Sequence, residues 1–351
     1  MFKDRKVNML KNSLKSVKEI VFRWEGFLIL LLFVEIIIFG SLNPKFFRIS
    51  LLLNSVNDFL VIGVIALSVT FVIITGGIDI SAGAMIGLSS VVTGILWQEG
   101  GMNIWLACIC AIFVGILCGM LNGYLVAYLR IQAMVATLGT SFLFSGIALV
   151  LMKLSGVSAY EGISGFPQAF KSLMGGEMIS GIPNSIIIFL ILIVLSSIIL
   201  HRTKYGRYVF LTGINKNAAV YSGLNARLIT ASTYVLVGIS ASLAGILLSS
   251  YLNSSRSDFG AETTLSIITA VVLGGTAITG GKGSIFGTAV ATIVIGLMKF
   301  GLQMARVPTQ YTNIPTGILL IVAVAAAAVS GNIELKFRLK SMFSKFSLNR
   351  K

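Results

Sequence analysis

Gly76-Gly77-Ile78-Asp79-Ile80-Ser81-Ala82-Gly83 sets a carboxylate among glycines, between two long apolar runs. A charge at membrane depth costs roughly 3 kcal/mol on insertion scales, so it is kept where it has a role. Glycines there let the backbone leave its helix, which a bilayer tolerates only where the break is buried in protein or lines a cavity. The stretch therefore points to a transport pathway or a moving gate, without saying what is moved.

Working outward, apolar runs long enough to cross about 30 Å of hydrocarbon recur between Phe27 and Ser330. With 56% hydrophobic and 11% charged residues, a pair of soluble domains is excluded. The runs are continuous rather than short and alternating, which also excludes a barrel. The fold class is all-α, a polytopic membrane protein with about ten transmembrane helices. Expected spans are 27–42, 51–75, 82–97, 104–128, 133–153, 185–201, 229–251, 264–280, 284–303 and 315–331. Residues 1–26 form a basic N-terminal segment, 27–331 a single transmembrane domain with a loop at 202–228, and 332–351 a basic tail. The apolar residues of the N-terminal segment repeat at helical spacing, and with no cleavage site following the first run it reads as an uncleaved helix.

The net charge of +15 suggests nucleic acid until its distribution is read. Twenty of the 27 lysines and arginines fall at the termini, in the 202–228 loop, at Arg130 and at Lys282. Ten spans put all of these on one side. The opposite side keeps Lys45, Arg48, Lys171, Arg256 and Arg306. Such asymmetry is what membrane orientation produces, making both termini cytoplasmic and nucleic acid an unneeded partner. Cys108, Cys110 and Cys118 share one apolar run and read as helix-packing residues, not as a disulfide framework.

The second glycine-rich stretch, Gly274-Gly275-Thr276-Ala277-Ile278-Thr279-Gly280-Gly281-Lys282-Gly283-Ser284, resembles a phosphate loop only at first. Thr276 stands where the first glycine belongs and Gly283 follows the lysine, so the pattern fails twice and no ATPase is visible in the chain. A tight turn is expected, with Gly280, Ser284 and Thr288 at spacing four letting helices approach. Gly83 and Gly87 repeat that spacing. In the basic loop, Asn217 to Tyr221 suits a short helix stopped at Gly223. That helix either packs on an ATP-hydrolysing subunit or rests on lipid headgroups.

Taken in order, Gly76–Gly83, Val135-x-Thr137-Leu138-Gly139-Thr140, the Gly206–Asn225 loop, and Val271–Gly275 followed by Gly283-Ser284-x-x-Gly287-Thr288 resemble the ribose-type ABC importer permease family. The resemblance runs from the first span to the tenth. Within the family, the stretches around Glu35, Tyr160–Phe170, Ser255–Ala261 and Gly301–Gln310 resemble the branch that imports autoinducer-2, a small polar sugar-like signal. The resemblance implies a type II ABC importer-like bundle in a bacterial cytoplasmic (inner) membrane. It implies a heterodimer with a related permease subunit, cytoplasmic ATPase subunits and an extracytoplasmic substrate-binding protein. Asn217–Asn225 would then be the coupling helix, with Asn217, Ala218, Ala219, Ser222 and Gly223 as contact candidates. Ribose or another monosaccharide is the alternative substrate.

Individual residues carry open alternatives. Asp79 is a gate or pathway residue, or else it and Ser81 cap the third span by accepting backbone amides. Asn54, Asn57 and Asp58 share one face of the second span, lining a pathway or bonding to neighbouring helices. Glu35, mid-span, is expected to pair inside the bundle. Asn122, Thr137, Thr140, Ser141 and Gln303 suit hydrogen bonding to a hydroxylated ligand. Arg256, Asp258 and Glu262 form a solvated outer network or, with Glu161 in the long outer connection, meet the binding protein. No nucleophile with a base, carboxylate pair or His/Cys cluster is seen, so no catalytic or metal site and no cofactor is expected. A stand-alone proton-coupled transporter using Glu35, Asp58 or Asp79 would explain the buried acids, but it leaves the Asn217–Asn225 helix without a purpose.

Overall fold

The computed structural model of the chain describes residues 24–157, 161–179 and 181–331. The N-terminal segment before Trp24, Tyr160 and the tail beyond residue 331 lie outside the described residues. Among the described residues thirteen α-helices follow in order: α1 (Trp24–Leu42), α2 (Ile49–Ile74), α3 (Ala82–Gln98), α4 (Ile104–Ala127), α5 (Ala133–Leu154), α6 (Gln168–Gly175) and α7 (Asn184–Arg202). After them come α8 (Lys204–Ile214), α9 (Lys216–Tyr221), α10 (Ala226–Leu252), α11 (Thr264–Leu273), α12 (Ile285–Met304) and α13 (Asn313–Gly331). Each expected span contains one of these helices, and seven of them are long and apolar enough to cross a membrane.

The bundle is organised around α2. From Phe59 to Ile74 every residue of this helix is buried, as expected of a helix that is apolar all round and surrounded by others. It packs against α10, α12, α7 and α11. In contrast, α1, α5 and α7 leave large side chains such as Phe33, Ile37, Phe142, Leu190 and Val194 exposed. Apolar surface of this kind belongs in hydrocarbon, and these are the outer helices.

The tightest pairing joins α4 to α10. Gly115, Gly119 and Gly123, four residues apart, lie against backbone of α10: a Cβ on Gly119 would come 2.5 Å from the Tyr234 carbonyl oxygen, and one on Gly123 2.7 Å from that of Ala231. Without a hydrophobic force between helices in lipid, such close backbone contact supplies the attraction.

The expected eighth span is broken. Helix α11 stops at Leu273, seven residues short of the expected end, and its ten residues rise only about 15 Å, half the hydrocarbon. The other half is the non-helical stretch Asn253–Thr263, which runs back along α3. Ser255 packs on Gly94, the Ser257 carbonyl on Gly87 and the Gly260 carbonyl on Gly83. The Arg256 amide donates to Ser90 Oγ at 3.2 Å, so exposed backbone is bonded inside the protein as membrane depth requires. Gly83 and Gly87 therefore admit a folded-back backbone rather than a second helix.

After Leu273 the glycine-rich stretch forms a turn, in which the Ala277 amide donates to the Lys282 carbonyl. Gly275, Gly280 and Gly281 have φ of +88°, +86° and +77°, a region side chains disfavour, which ends the helix despite continued apolar residues. The Gly281 amide donates to the Ile74 carbonyl at 2.8 Å, bringing the two glycine motifs together at the end of α2. Gly280 belongs to this turn and is not on the helix. Of the expected small-residue row, Ser284 caps α12 by accepting from the Gly287 amide, and Thr288 alone reaches across, 2.9 Å from Thr70 Oγ1.

On the opposite face lies the long connection, with residues 161–179 and 181–183 described. It contains a two-residue strand β1 (Ile163–Ser164) paired antiparallel with β2 (Ser254–Ser255), then α6 against α10. Phe166 and Phe170 are buried there, Phe166 beside Trp97 at 4.8 Å between ring centres.

Candidate functional site

The Gly76–Gly83 stretch leaves α2 at the glycine turn and rises into the bundle before α3 begins. Asp79 is 1% exposed. Its Oδ1 accepts from the Ser81 amide at 2.9 Å and from Ser81 Oγ at 2.7 Å. Ser81 Oγ in turn accepts from Asn122 Nδ2 of α4 at 2.8 Å, and Asn122 Oδ1 accepts from Thr140 Oγ1 of α5 at 2.7 Å. A single donor chain therefore runs Thr140 to Asn122 to Ser81 to Asp79. Beside it, Thr137 Oγ1 accepts from the Ile80 amide at 3.1 Å and donates to the Ala133 carbonyl at 2.8 Å.

Two helices and the broken segment that leads into α3 are thus tied at one point. Asp79, Ser81, Asn122 and Thr137 are all essentially without solvent contact. Asp79 accepts the backbone amide two residues on, as the capping alternative anticipates, although Ser81 occupies the cap position of α3 and makes no side-chain cap bond. Asp79 Oδ2 and Tyr234 Oη are both buried and make no hydrogen bond to protein. Tyr234, on α10, faces the same segment: a Cβ on Gly77 would lie 2.5 Å from its hydroxyl oxygen.

The other pathway candidates lie elsewhere. Asn57 is buried, with Oδ1 unbonded to protein, while Asn54 and Asp58 are exposed, so the expected shared face is split. Asp58 Oδ1 accepts from Tyr251 Oη at 3.2 Å, joining α2 to the end of α10. Gln303 is exposed near the end of α12. Glu35 is buried in α1, yet its Oε2 has no hydrogen-bond partner, contrary to the expected pairing. None of these meets the Asp79 network.

On the basic face, α9 matches the expected short helix. Asn215 caps it, accepting from the amides of Asn217 and Ala218. Gly223, at φ +79°, ends it. Asn217, Ala218, Ser222 and Gly223 are exposed, as are Val220 and Tyr221, whereas Ala219 is buried. Of the contact candidates, Ala219 therefore anchors the helix and the others present themselves outward. Ser222 Oγ donates back to the Ala218 carbonyl at 3.0 Å.

Within the folded-back stretch Arg256 grips Asp258 in two parallel bonds, Nε to Oδ1 at 2.9 Å and Nη2 to Oδ2 at 2.6 Å. Glu262 takes no part in this pair. Glu161 is exposed on the strand side of the face opposite α9. The three cysteines are free thiols, and among the described residues no His, Cys, Asp and Glu group is placed to hold a metal.

Sequence reasoning missed Tyr234 and the α4–α10 seam. The seam has a readable signal in the spacing of Gly115, Gly119 and Gly123; Tyr234, one aromatic in a long apolar run, has none.

Buried broken segments, a central helix wrapped by others and an apolar exterior define a polytopic membrane transport protein. The chain belongs to the family described as branched-chain amino acid transport system / permease component, matched over residues 51–324. It is 44% identical to the autoinducer 2 import system permease protein LsrD of Escherichia coli K12 over 307 residues, 88% of this chain and 92% of that relative. The LsrD protein of Shigella flexneri is equally similar, and that of Escherichia coli O157:H7 is 43% identical over the same length. No solved structure matches the chain. Membership of this family makes the chain a transport permease, not an enzyme.

Proposed function

We propose that the chain is the membrane-spanning permease subunit of an ATP-binding cassette importer carrying autoinducer-2 across the bacterial cytoplasmic membrane. The observation that carries this reading is the 44% identity to autoinducer-2 permeases over 88% of the chain. It works as a heterodimer with a related permease subunit, on cytoplasmic ATPase subunits, and receives substrate from an extracytoplasmic binding protein. Both termini and α9 lie on the cytoplasmic side.

In this reading the exposed residues of α9 meet the ATPase, and Arg256, Asp258 and Glu161 face the binding protein. The Asp79 network is a latch. It holds the start of α3 to α4 and α5, so that a push from the basic face moves the broken segment as one piece. Its tight packing argues for positioning rather than for touching substrate. Substrate then meets few strong contacts in this chain, and the binding protein sets selectivity.

The test is depletion of autoinducer-2 from medium by cells carrying this chain with its partners, against cells lacking only this chain. Depletion that needs the chain and persists in excess ribose is expected. Equal depletion by both strains, or competition by ribose, overturns the substrate.

A further inference from the structure

The basic face holds a cavity of about 870 Å³ between the end of α4, helix α9 and the start of α10. Arg130, Lys216 and Arg227 line it, with Asn217 and Asn225 adding amides and Tyr128 an aromatic wall. Among the described residues none of the three cations is paired with a carboxylate. The loops that frame this face, 128–132, 203–225 and 274–284, contain no Asp or Glu at all. Partial burial, together with Arg130 and Arg227, pushes the Lys216 pKa below the ordinary lysine value. Three like charges converging on one cavity without a counter-ion call for an anion.

The surroundings indicate what kind of anion. The cavity sits at the ends of two membrane-spanning helices, and α4 runs away from it with Tyr124, Leu121, Met120 and Leu117 exposed. Tyr124 and Tyr128 stack at 5.9 Å between ring centres, the aromatic pairing expected at a headgroup boundary. Cations below and apolar surface above match an amphiphile, not a soluble anion. We propose that this cavity binds the phosphate headgroup of an anionic phospholipid, held by Arg130, Lys216 and Arg227, with its acyl chains along α4. Basic pockets between membrane helices on the cytoplasmic side suit anionic headgroups for this reason. The lipid would neutralise the underside of α9 and fix the angle at which that helix stands off the membrane.

Full-length protein in mild detergent is titrated with phosphatidylglycerol, with phosphatidylethanolamine and with inorganic phosphate, and bound adducts are counted by native mass spectrometry. Saturable binding of phosphatidylglycerol alone is expected. The combined Arg130→Gln, Lys216→Gln and Arg227→Gln variant should weaken it on the order of a hundredfold, and Lys216→Gln alone about fivefold. A control with Lys45, Arg48 and Lys171 changed to Gln should bind as wild type. The single variant keeps the test open if the triple variant does not fold, which thermal unfolding reports. Binding unaffected by Lys216→Gln, equal affinity for inorganic phosphate, or retained lipid with loss only of ATPase-subunit capture would each overturn the proposal. The last would identify a protein-docking site instead.

Discussion

At the scale of single residues, Asp79 is used through one oxygen. Oδ1 takes both bonds from Ser81, and both need only an acceptor. Asp79→Asn keeps that oxygen, so transport should stay within about twofold of wild type and thermal stability should hold. Asp79→Ala strands a buried amide and hydroxyl and should cost about 2 kcal/mol, read as lost thermal stability of the detergent-solubilised protein. If Asp79→Asn abolishes uptake without loss of stability, the charge itself acts and the latch reading is wrong. The sequence made Asp79 conspicuous because an acid between apolar runs is costly. Its partners were not legible as a set: Asn122 lies 41 positions from Ser81, and Thr137 lies 57 from Ile80. Hydroxyls and amides of this kind occur in any membrane bundle, and only the fold selects which ones meet. The expected polar face of Asn54, Asn57 and Asp58 failed for a related reason. Residues three and four apart on a helix are neighbours, but the boundary between bundle and exterior can pass between them.

At the scale of elements, helices were legible because apolar runs of spanning length have few other solutions. The break in the eighth span was not, since apolar residues continue past Leu273 and only the left-handed glycines end the helix. Gly119 tests the seam between α4 and α10. Gly119→Ala places a methyl 2.5 Å from the Tyr234 carbonyl oxygen and 2.7 Å from Val235 Cα, neither of which can turn aside. A loss of about 1–3 kcal/mol is expected, again by thermal unfolding. Gly146→Ala on α5 meets nothing within 4 Å and should be neutral, separating packing from helix propensity. Helix α9 offers a second contrast. Ala218 is exposed and Ala219 buried, so Ala218→Asp should leave the protein folded and lower transport at least tenfold if α9 docks on the ATPase. Ala219→Asp should instead damage the fold itself. Unchanged uptake in a well-expressed Ala218→Asp variant removes α9 from the coupling surface.

For the whole molecule, the division of charge between two faces is an orientation statement. Arg130, Lys216 and Arg227 gather around α9, with Lys282 in the glycine turn, and the sequence carries further basic residues at its termini. The other face carries Glu161 and Glu177 among few cations. Cytoplasmic loops of membrane proteins hold the excess of lysine and arginine, so the α9 face should be cytoplasmic. Reporter fusions decide it. A fluorescent protein fused after Lys351 should fluoresce, and alkaline phosphatase fused there should be inactive because its disulfides do not form in the cytoplasm. Alkaline phosphatase inserted after Met178, exposed in the long connection, should be active. The opposite pattern would put α9 where no ATP-hydrolysing partner exists and would remove the importer mechanism with it. An active phosphatase at both positions would mean an even number of crossings between them. The half-helix α11 with its folded-back partner is where such a miscount would arise, because that pair counts as one crossing only if Asn253–Thr263 truly returns through the membrane. The bonds of Ser255 to Ser249 and of the Arg256 amide to Ser90 hold that stretch against α10 and α3, and they make an odd count of five the expected outcome.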